Sequence, residues 1–525
     1  MRLNSMVSVI AVTLFGLAQS AWGQLNDLTQ TPNAAGEGIK KNLQEQIDAS
    51  RGSSYLPGSS YYLIQRDPFR SVARGRQLFQ RKFTHLQGLG PRTNDGVGNI
   101  EMDASLGAGI ADSCAGCHGR PRGAAGAGGV VFTRPDSRDA PHLFGLGLKE
   151  MLADEITAEL RWLRDRARAK AAASGKPTKV ALKSKGINYG VLAAFPNGRV
   201  DYEGVVGVDA DLRVKPFFHD GREWSIRGFT AGALNAEMGL EAFDPDLIAA
   251  SMGKDVVTPS GMMLSGSQDK VGPSVASSQS DDPDQDGVMN EIDVAVLDHL
   301  EFYLLNYFPP ALYEQTGTTK HGRKIFEQIG CADCHVPDLT IDHDRRVADV
   351  RTAFDPNQGR QNRLFATANK QCDPVNDGSG HPPLQVPWGR RYVVKNIFAD
   401  FKRHDLGPAF HERNFDGTVA TRFMTAPLWG VGSTAPYGHD GRSINLKEVI
   451  LRHGGEAAIS KARFANLGDD DQQRVLAFLG AMVLFGPPDT ASNLDPGNPA
   501  HPEYPVKAHG SIDLSVLFND PTDKE

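Results

Sequence analysis

Cysteine is scarce in this chain: there are five in 525 residues, too few for a disulfide framework. Long apolar runs are missing too. The stretch from Met6 to Ala18 is about a dozen residues, against roughly 20 needed to cross a bilayer. No later stretch comes near that length, so no membrane span is expected. An excess of one charge sign is also lacking. The 56 Lys and Arg and 63 Asp and Glu leave a formal net charge of -7, spread along the chain. That gives no polyanion-binding surface and argues against nucleic acid as a partner. What remains is a globular composition, 40% hydrophobic and 23% charged, able to bury large cores. The length suits two domains with decorations rather than one.

The N-terminus speaks to compartment. Met1 and Arg2 precede the apolar stretch, and Ser20, Ala21 and Gly23 follow it, the layout of a secretory signal peptide cut after Gly23. The mature chain is therefore expected to be exported to the periplasm, where thiols oxidise unless something claims them.

Four of the five cysteines are claimed. Cys114-Ala115-Gly116-Cys117-His118 and Cys331-Ala332-Asp333-Cys334-His335 are both C-x-x-C-H, the attachment pattern of c-type haem. Two thiols three positions apart on one turn can form thioethers with the two haem vinyl groups. The adjacent His then supplies the proximal nitrogen to iron. A thioredoxin-like pair needs only C-x-x-C, and a zinc site needs further ligands at matching spacing. Cys372 lies in a polar loop with no partner and reads as a bystander.

The surroundings of the motif repeat. Gly75-Arg76-Gln77-Leu78-Phe79 precedes the first and Gly322-Arg323-Lys324-Ile325-Phe326 the second. Phe218-His219-Asp220-Gly221-Arg222 follows the first and Gly438-His439-Asp440-Gly441-Arg442 the second. Cys114 to His219 is 105 residues and Cys331 to His439 is 108, so the chain reads as a duplicated haem module. Two haems in one chain imply a division of labour: an iron closed on both faces passes electrons, and an open one does chemistry.

Distal ligand candidates are His453, His439 and Met424 in the second copy and His219 and Met238 in the first. For each Met, packing as core filler is the default reading. Glu237-Met238-Gly239-Leu240-Glu241-Ala242 parallels Arg452-His453-Gly454-Gly455-Glu456-Ala457, and His453 in place of Met238 suggests a closed, bis-His second haem and a more open first one. Arg222 and Arg442 could pair with haem propionates. Glu237 and His219 are the candidate proton-transfer groups that a peroxidase needs, although Glu237 also suits an exposed helix position. Trp162, Trp224, Trp388 and Trp429 are available as relays or as core.

The order of signal peptide, G-R-x-[LI]-F, C-x-x-C-H and H-D-G-R, then the set again, resembles the bacterial di-haem cytochrome c peroxidase superfamily. The runs Leu89-Gly90-Pro91-Arg92, Ser113 to Pro121, Asp400-Phe401-Lys402-Arg403-His404-Asp405-Leu406-Gly407 and Thr425-Ala426-Pro427-Leu428-Trp429-Gly430 are most similar to its di-haem oxidoreductase branch. The resemblance implies two covalent haem c groups and a mainly α fold: two tandem cytochrome c-like haem domains with long loops and little β. It also implies a peroxidase-like enzyme in which one haem takes electrons from a small redox protein, a cytochrome c or cupredoxin, and the other reduces a small-molecule oxidant, H₂O₂. Two other functions stay open: a di-haem oxygenase or protein-oxidising enzyme, and a non-enzymatic di-haem electron carrier.

A second metal pattern lies between the copies. Asp282, Asp284, Asp286, Asn290 and Asp293 stand at positions 1, 3, 5, 9 and 12 of a loop with Gly287 at 6. This is the EF-hand layout for Ca²⁺, with a short Asp where a bidentate Glu is usual. A calcium ion near the domain interface is also what the resemblance implies.

The expected organisation is a signal peptide at 1–23, a loose arm at 24–60, a first haem domain at 61–257, a flexible linker with the Ca²⁺ loop at 258–293, a second haem domain at 294–488 and a tail at 489–525. Apolar spacing predicts helices over 148–173, 292–307, 446–452 and 470–485. Alternation predicts a short strand or hairpin in 205–218.

Overall fold

The computed structural model describes residues 42–90, 111–118, 130–131, 138–307, 315–350, 369–414 and 417–483. The expected signal peptide, the first part of the arm and the tail lie outside the described residues. The fold is mainly α, with 38% helix and 16% strand. The helices are α1 (Leu43–Ile47), α2 (Ser60–Arg66), α3 (Pro68–Gln80), α4 (Cys114–His118), α5 (Leu146–Ser174), α6 (Ile226–Met238), α7 (Pro245–Ser251), α8 (Val294–Asn306), α9 (Gly317–Gln328), α10 (Leu446–Arg452), α11 (Ala458–Ala465) and α12 (Asp469–Gly480).

Two helix crossings organise the molecule, and one sequence motif makes both. In the first, α3 begins on Pro68, whose fixed φ suits a helix start, and lays Gly75 on α8. A Cβ at Gly75 would run into the carbonyl of His299 and the side chain of Tyr303. One turn on, Phe79 meets Tyr303 edge to face, ring centroids 6.0 Å apart. In the second crossing Gly322 of α9 lies on α12, where a Cβ would run into the carbonyl of Arg474 and touch Phe478. Phe326 then meets Phe478 edge to face at 5.5 Å. The Gly-Arg-x-x-Phe repeat is thus a crossing device: glycine removes the side chain where backbones touch, and phenylalanine fills the next turn with an aromatic partner.

A second glycine repeats the device from the other side. Gly147 rests on the carbonyl of Leu305, and Gly432 on that of Gly480. Each receiving helix, α8 or α12, is therefore held between two glycines. Helix α8 is buried along its whole length and is capped by Asp293, which accepts the N–H of Ala295 at 2.8 Å. The sequence reading groups residues 294–306 with the second module; in space they pack on α3, beside the first motif.

Helix α5 matches its expected span and leads into a sheet the sequence reading did not foresee. Strands β1 (Thr178–Ser184), β2 (Ile187–Ala194) and β3 (Val200–Asp201) pair antiparallel in chain order. The stretch 205–218, expected as a strand, makes only single bridges at Val205 and Phe217. Its polar groups find partners outside a sheet instead, such as Thr157 Oγ1 of α5, which accepts the Val214 N–H at 3.0 Å.

Two expectations of looseness are corrected. The end of the arm is locked into the core: Ser50 donates to Asp293 at 2.6 Å, Arg51 pairs with Asp298 at 2.6 Å, and Ser60 donates to Asp298 at 2.5 Å. Asp298 belongs to a buried network around Arg227, which contacts Asp244 at 2.5 Å and Glu301 at 2.8 Å. A buried cation of this kind can be tolerated only with such partners. The stretch 258–281 is packed as well. Thr258 donates to Glu301 at 2.8 Å, and Asp269 takes Arg161 at 2.6 Å.

The glycine device is testable. Gly322→Ala is expected to lower unfolding free energy by about 1–3 kcal/mol through overpacking. Gly232→Ala in α6, where an added Cβ meets nothing within 4 Å, is expected to be neutral or to stabilise by about 0.5–1 kcal/mol. Denaturant unfolding of the two variants distinguishes them, and equal effects would refute the crossing argument.

Candidate functional site

The first C-x-x-C-H forms its own short helix, α4. Ser113 is buried just before it, and its hydroxyl accepts the N–H of Gly116 at 3.1 Å. The second is entered through Gly330 at φ 89° and turns as a 3₁₀ helix over Cys331–Asp333; the His335 N–H closes the turn on the Cys331 carbonyl at 3.0 Å. None of the five cysteines is in a disulfide. Burial pushes the Cys114 and Cys331 thiols up to about 12. Burial, followed by the nearby charge of Glu237, pushes Cys117 up to about 11. Thiols held neutral in this way do not suit a thioredoxin-like redox pair, which needs a thiolate.

The motif histidines are held alike. His118 Nδ1 lies 2.7 Å from the Pro141 carbonyl, and His335 Nδ1 lies 2.9 Å from the Phe398 carbonyl. A proton on Nδ1 leaves the lone pair on Nε2, the tautomer that a metal-ligating imidazole requires. Burial holds His335 down to about 4, so it is neutral at physiological pH. Its ring lies 6.1 Å from Phe326 of the α9–α12 crossing. Two cysteines and a histidine with an anchored Nδ1, present twice, fit covalent haem.

Around the first motif, Glu237 is half-buried near the end of α6, close enough for its charge to act on Cys117. Met238 is 3% exposed within the main apolar core, and its carbonyl accepts the Gly90 N–H at 3.1 Å. Around the second motif, His453 caps α10. Burial lowers its pKa, its Nδ1 sits 2.7 Å from the Val449 carbonyl, and its charge acts on His335.

His219 and His439, assigned by the sequence to separate copies, are brought together. Their rings stack with centroids 5.0 Å apart. Glu412 reaches both, at 3.4 Å from His219 Nε2 and 3.2 Å from His439 Nε2, and Phe423 stacks on His439 at 4.2 Å. Met424 packs against Gly221 of the first His-Asp-Gly-Arg turn. Arg222 and Arg442 point outward, with side chains 53% and 72% exposed, beside Asp220 and Asp440. Among the tryptophans, Trp162 is exposed under Arg166, Trp224 and Trp429 are buried, and Trp388 is half-buried under Arg390.

Sequence reasoning missed several residues. His404 has both ring nitrogens on carboxylates, Nε2 on Asp400 at 2.8 Å and Nδ1 on Glu456 at 2.7 Å, and stands with Asp400 beside Cys334. Burial opposes its charge, but the hydrogen bonds and charges of Asp400 and Cys334 prevail and hold it up to about 10. The part due to Cys334 disappears once that sulfur is a thioether. His142 is a second omission. Its Nε2 lies 2.8 Å from the Trp429 carbonyl, and burial keeps it neutral, down at about 4. Through it runs a continuous path of covalent and hydrogen bonds. From His118 it passes to Pro141, His142 and Trp429, then through Leu428 N–H to the Ile397 carbonyl at 3.1 Å and on by Phe398 to His335.

In the acidic loop, Asp282, Asp284 and Asp286 converge as expected. Asp293 does not join them, since its carboxylate caps α8 and accepts from Ser50. Glu241 and Glu291, which the spacing rule does not reach, meet Asp284 instead. Burial, with Asp284, Glu241 and Asp286 nearby, pushes Glu291 up to about 9.

Residues 375–482 match the family model described as "Di-haem oxidoreductase, putative peroxidase". The matched stretch includes His404, Glu412, His439 and His453 and neither C-x-x-C-H motif, so the two lines of observation are independent. They point the same way. Among solved structures, hydrazine synthase of Kuenenia stuttgartiensis aligns at 16% identity over 36% of this chain and 55% of its own, with a TM-score of 0.20. A MauG-like protein associated with microbial copper homeostasis aligns at 16% identity over 37% of this chain and 57% of its own, with a TM-score of 0.17. This chain therefore spans little more than half of either neighbour. No curated protein matches it.

The His404 environment makes a pH prediction. A pKa raised in the folded state contributes stability that is full below the unfolded value, near 6.5, and is lost as pH rises through the folded value, which Asp400 still holds up when Cys334 is a thioether. The stability difference between the wild type and His404→Gln is expected to be largest at pH 6 and to shrink steadily by pH 10. A pH-independent difference would show that His404 is not held as an imidazolium.

Proposed function

We propose that the chain is an exported, periplasmic c-type oxidoreductase of peroxidase type, with two tandem cytochrome c-like domains each carrying one covalent haem c. The observation that carries the reading is the twice-built C-x-x-C-H, with each His anchored through Nδ1 to a backbone carbonyl. When bound, the two haems supply one-electron chemistry, one accepting electrons from a small redox protein and the other reducing H₂O₂.

The remaining roles fall to side chains of this chain. Cys114 and Cys117, and Cys331 and Cys334, hold the groups, and His118 and His335 orient them. His453 is the proposed second ligand that closes the second site, supported by its nearness to His335. In the first copy Met238 stands at the position that His453 takes in the second. The first site has Glu237, a carboxylate near Cys117 that can take a proton from one peroxide oxygen and return it to the other. His219 and His439, joined through Glu412, hold the two copies in register. Asp282, Asp284, Asp286 and Asn290 belong to a Ca²⁺ loop in the same proposal.

Optical titration of the haem-loaded protein with H₂O₂, and separately with O₂, tests this. The expected result is a high-spin component that peroxide abolishes and a reduced donor restores. Glu237→Gln should slow that change by about 10²–10⁴-fold with haem content unchanged. Two low-spin haems inert to both oxidants would leave an electron carrier. A response to O₂ alone would favour an oxygenase.

A further inference from the structure

The Ca²⁺ loop is incomplete where the spacing rule would finish it. Asp293 accepts Ser50 Oγ on both oxygens, at 2.6 and 2.8 Å, and the Ala295 N–H at 2.8 Å. It is spent on capping α8. Other oxygens nearby have nothing to do. Glu291 is 4% exposed; its Oε2 accepts the Glu241 N–H at 2.6 Å, while its Oε1 has no hydrogen-bond partner. Asp282 Oδ2 accepts the Gly287 N–H at 3.1 Å, but its Oδ1 is buried without a partner, as is Asn290 Oδ1. Buried oxygens without donors are costly. Here they converge. Ligand oxygens of Glu241, Asp284 and Glu291 lie within 4.8 Å of one another, and so do those of Asp282, Asp284 and Asp286, with Asp284 common to both groups.

We propose that Glu241 and Glu291 close this loop into a cage for a hard divalent cation, and that the cation fastens the end of α6 to the segment leading to the first C-x-x-C-H. Carboxylate and amide oxygens in this number suit Ca²⁺, with its six to eight flexible ligands, better than Mg²⁺, which keeps its water. The two glutamates supply the reach that Asp at position 12 lacks.

Three pieces of chain meet at the cage. Glu291 lies over Gly88, where a Cβ would collide with its carboxyl group. Glu241 follows α6 directly, three residues after Met238, whose carbonyl accepts from Gly90; Gly239 is pressed against the Gly90 backbone. The loop itself runs into α8, the receiving helix of the first crossing. A cation here ties segment 84–90, the Glu237 end of α6 and the start of α8 into one unit. The site stands apart from the oxidoreductase reading. Its bearing on Glu237 rests on that reading.

The test is calorimetric titration of the chelator-treated, haem-loaded full chain with Ca²⁺ alone. The wild type is expected to bind one ion. Glu291→Gln and Glu241→Gln should each weaken binding by about tenfold or more, and Asp293→Asn, which keeps a good helix cap, by much less. The Soret band reports whether each variant is folded and loaded. No Ca²⁺ binding by the wild type, or weakening by Asp293→Asn but by neither glutamate variant, would overturn the cage. Chelation should also slow the peroxide reaction of the wild type but not that of Glu237→Gln. Tight Ca²⁺ binding with an unchanged wild-type rate would overturn the link to Glu237, and a protein inert to peroxide with or without Ca²⁺ would instead count against the peroxidase reading.

Discussion

Backbone-to-backbone contact at glycine is the constraint on which this structure depends. At Gly75 on α8 and Gly322 on α12 there is no room for a Cβ, and each contact sets the angle and depth at which a helix meets its receiver. The C-x-x-C-H of each copy hangs from that crossing. Phe326, which completes the second crossing against Phe478, also faces His335, so packing at the crossing positions the imidazole. Gly147 and Gly432 press on the same receiving helices from the opposite side. The duplication is therefore a duplication of a mechanical frame, with the chemistry-bearing turn attached to it.

The copies are joined by polar contacts that neither could satisfy alone. Glu412 serves His219 and His439 together, and the neutral His142 ties the Pro141 loop to Trp429. Both arrangements bury imidazole against carboxylate or carbonyl, which is favourable only if the geometry is kept. The second copy adds an imidazolium at His404 between two carboxylates. The first instead adds the acidic loop and a buried network of Arg51, Arg227 and four carboxylates. Equal frames with unequal electrostatics give the two sites different surroundings, which is what a division of labour between two redox centres requires.

Much of this was legible in the sequence because it is local. C-x-x-C-H and Gly-Arg-x-x-Phe are short motifs whose spacing is their chemistry, and α5, α8, α10 and α12 follow from apolar periodicity. What could not be read depends on which distant segments meet. Residues 294–306 follow the linker and so look like part of the second module, yet their partner is Gly75, more than two hundred positions earlier. Repeat symmetry placed His219 and His439 at separate centres, whereas the fold stacks them. Glu241 and Glu291 stand outside the loop rule, and only folding puts them beside Asp284. Asp293 fits that rule by position but is the better helix cap. The polar composition of residues 258–281 suggested flexibility; its hydroxyls and acids are instead used against Glu301 and Arg161.

The account holds that one frame presents two covalent haem sites. The most direct measurement is the intact mass of the denatured protein after expression with the haem-attachment machinery, for the wild type and for the Cys114→Ala/Cys117→Ala and Cys331→Ala/Cys334→Ala variants. The expected masses carry two haem groups for the wild type and one for each variant. A wild-type chain that carries no covalent haem, or one whose haem survives loss of either cysteine pair, would contradict the account.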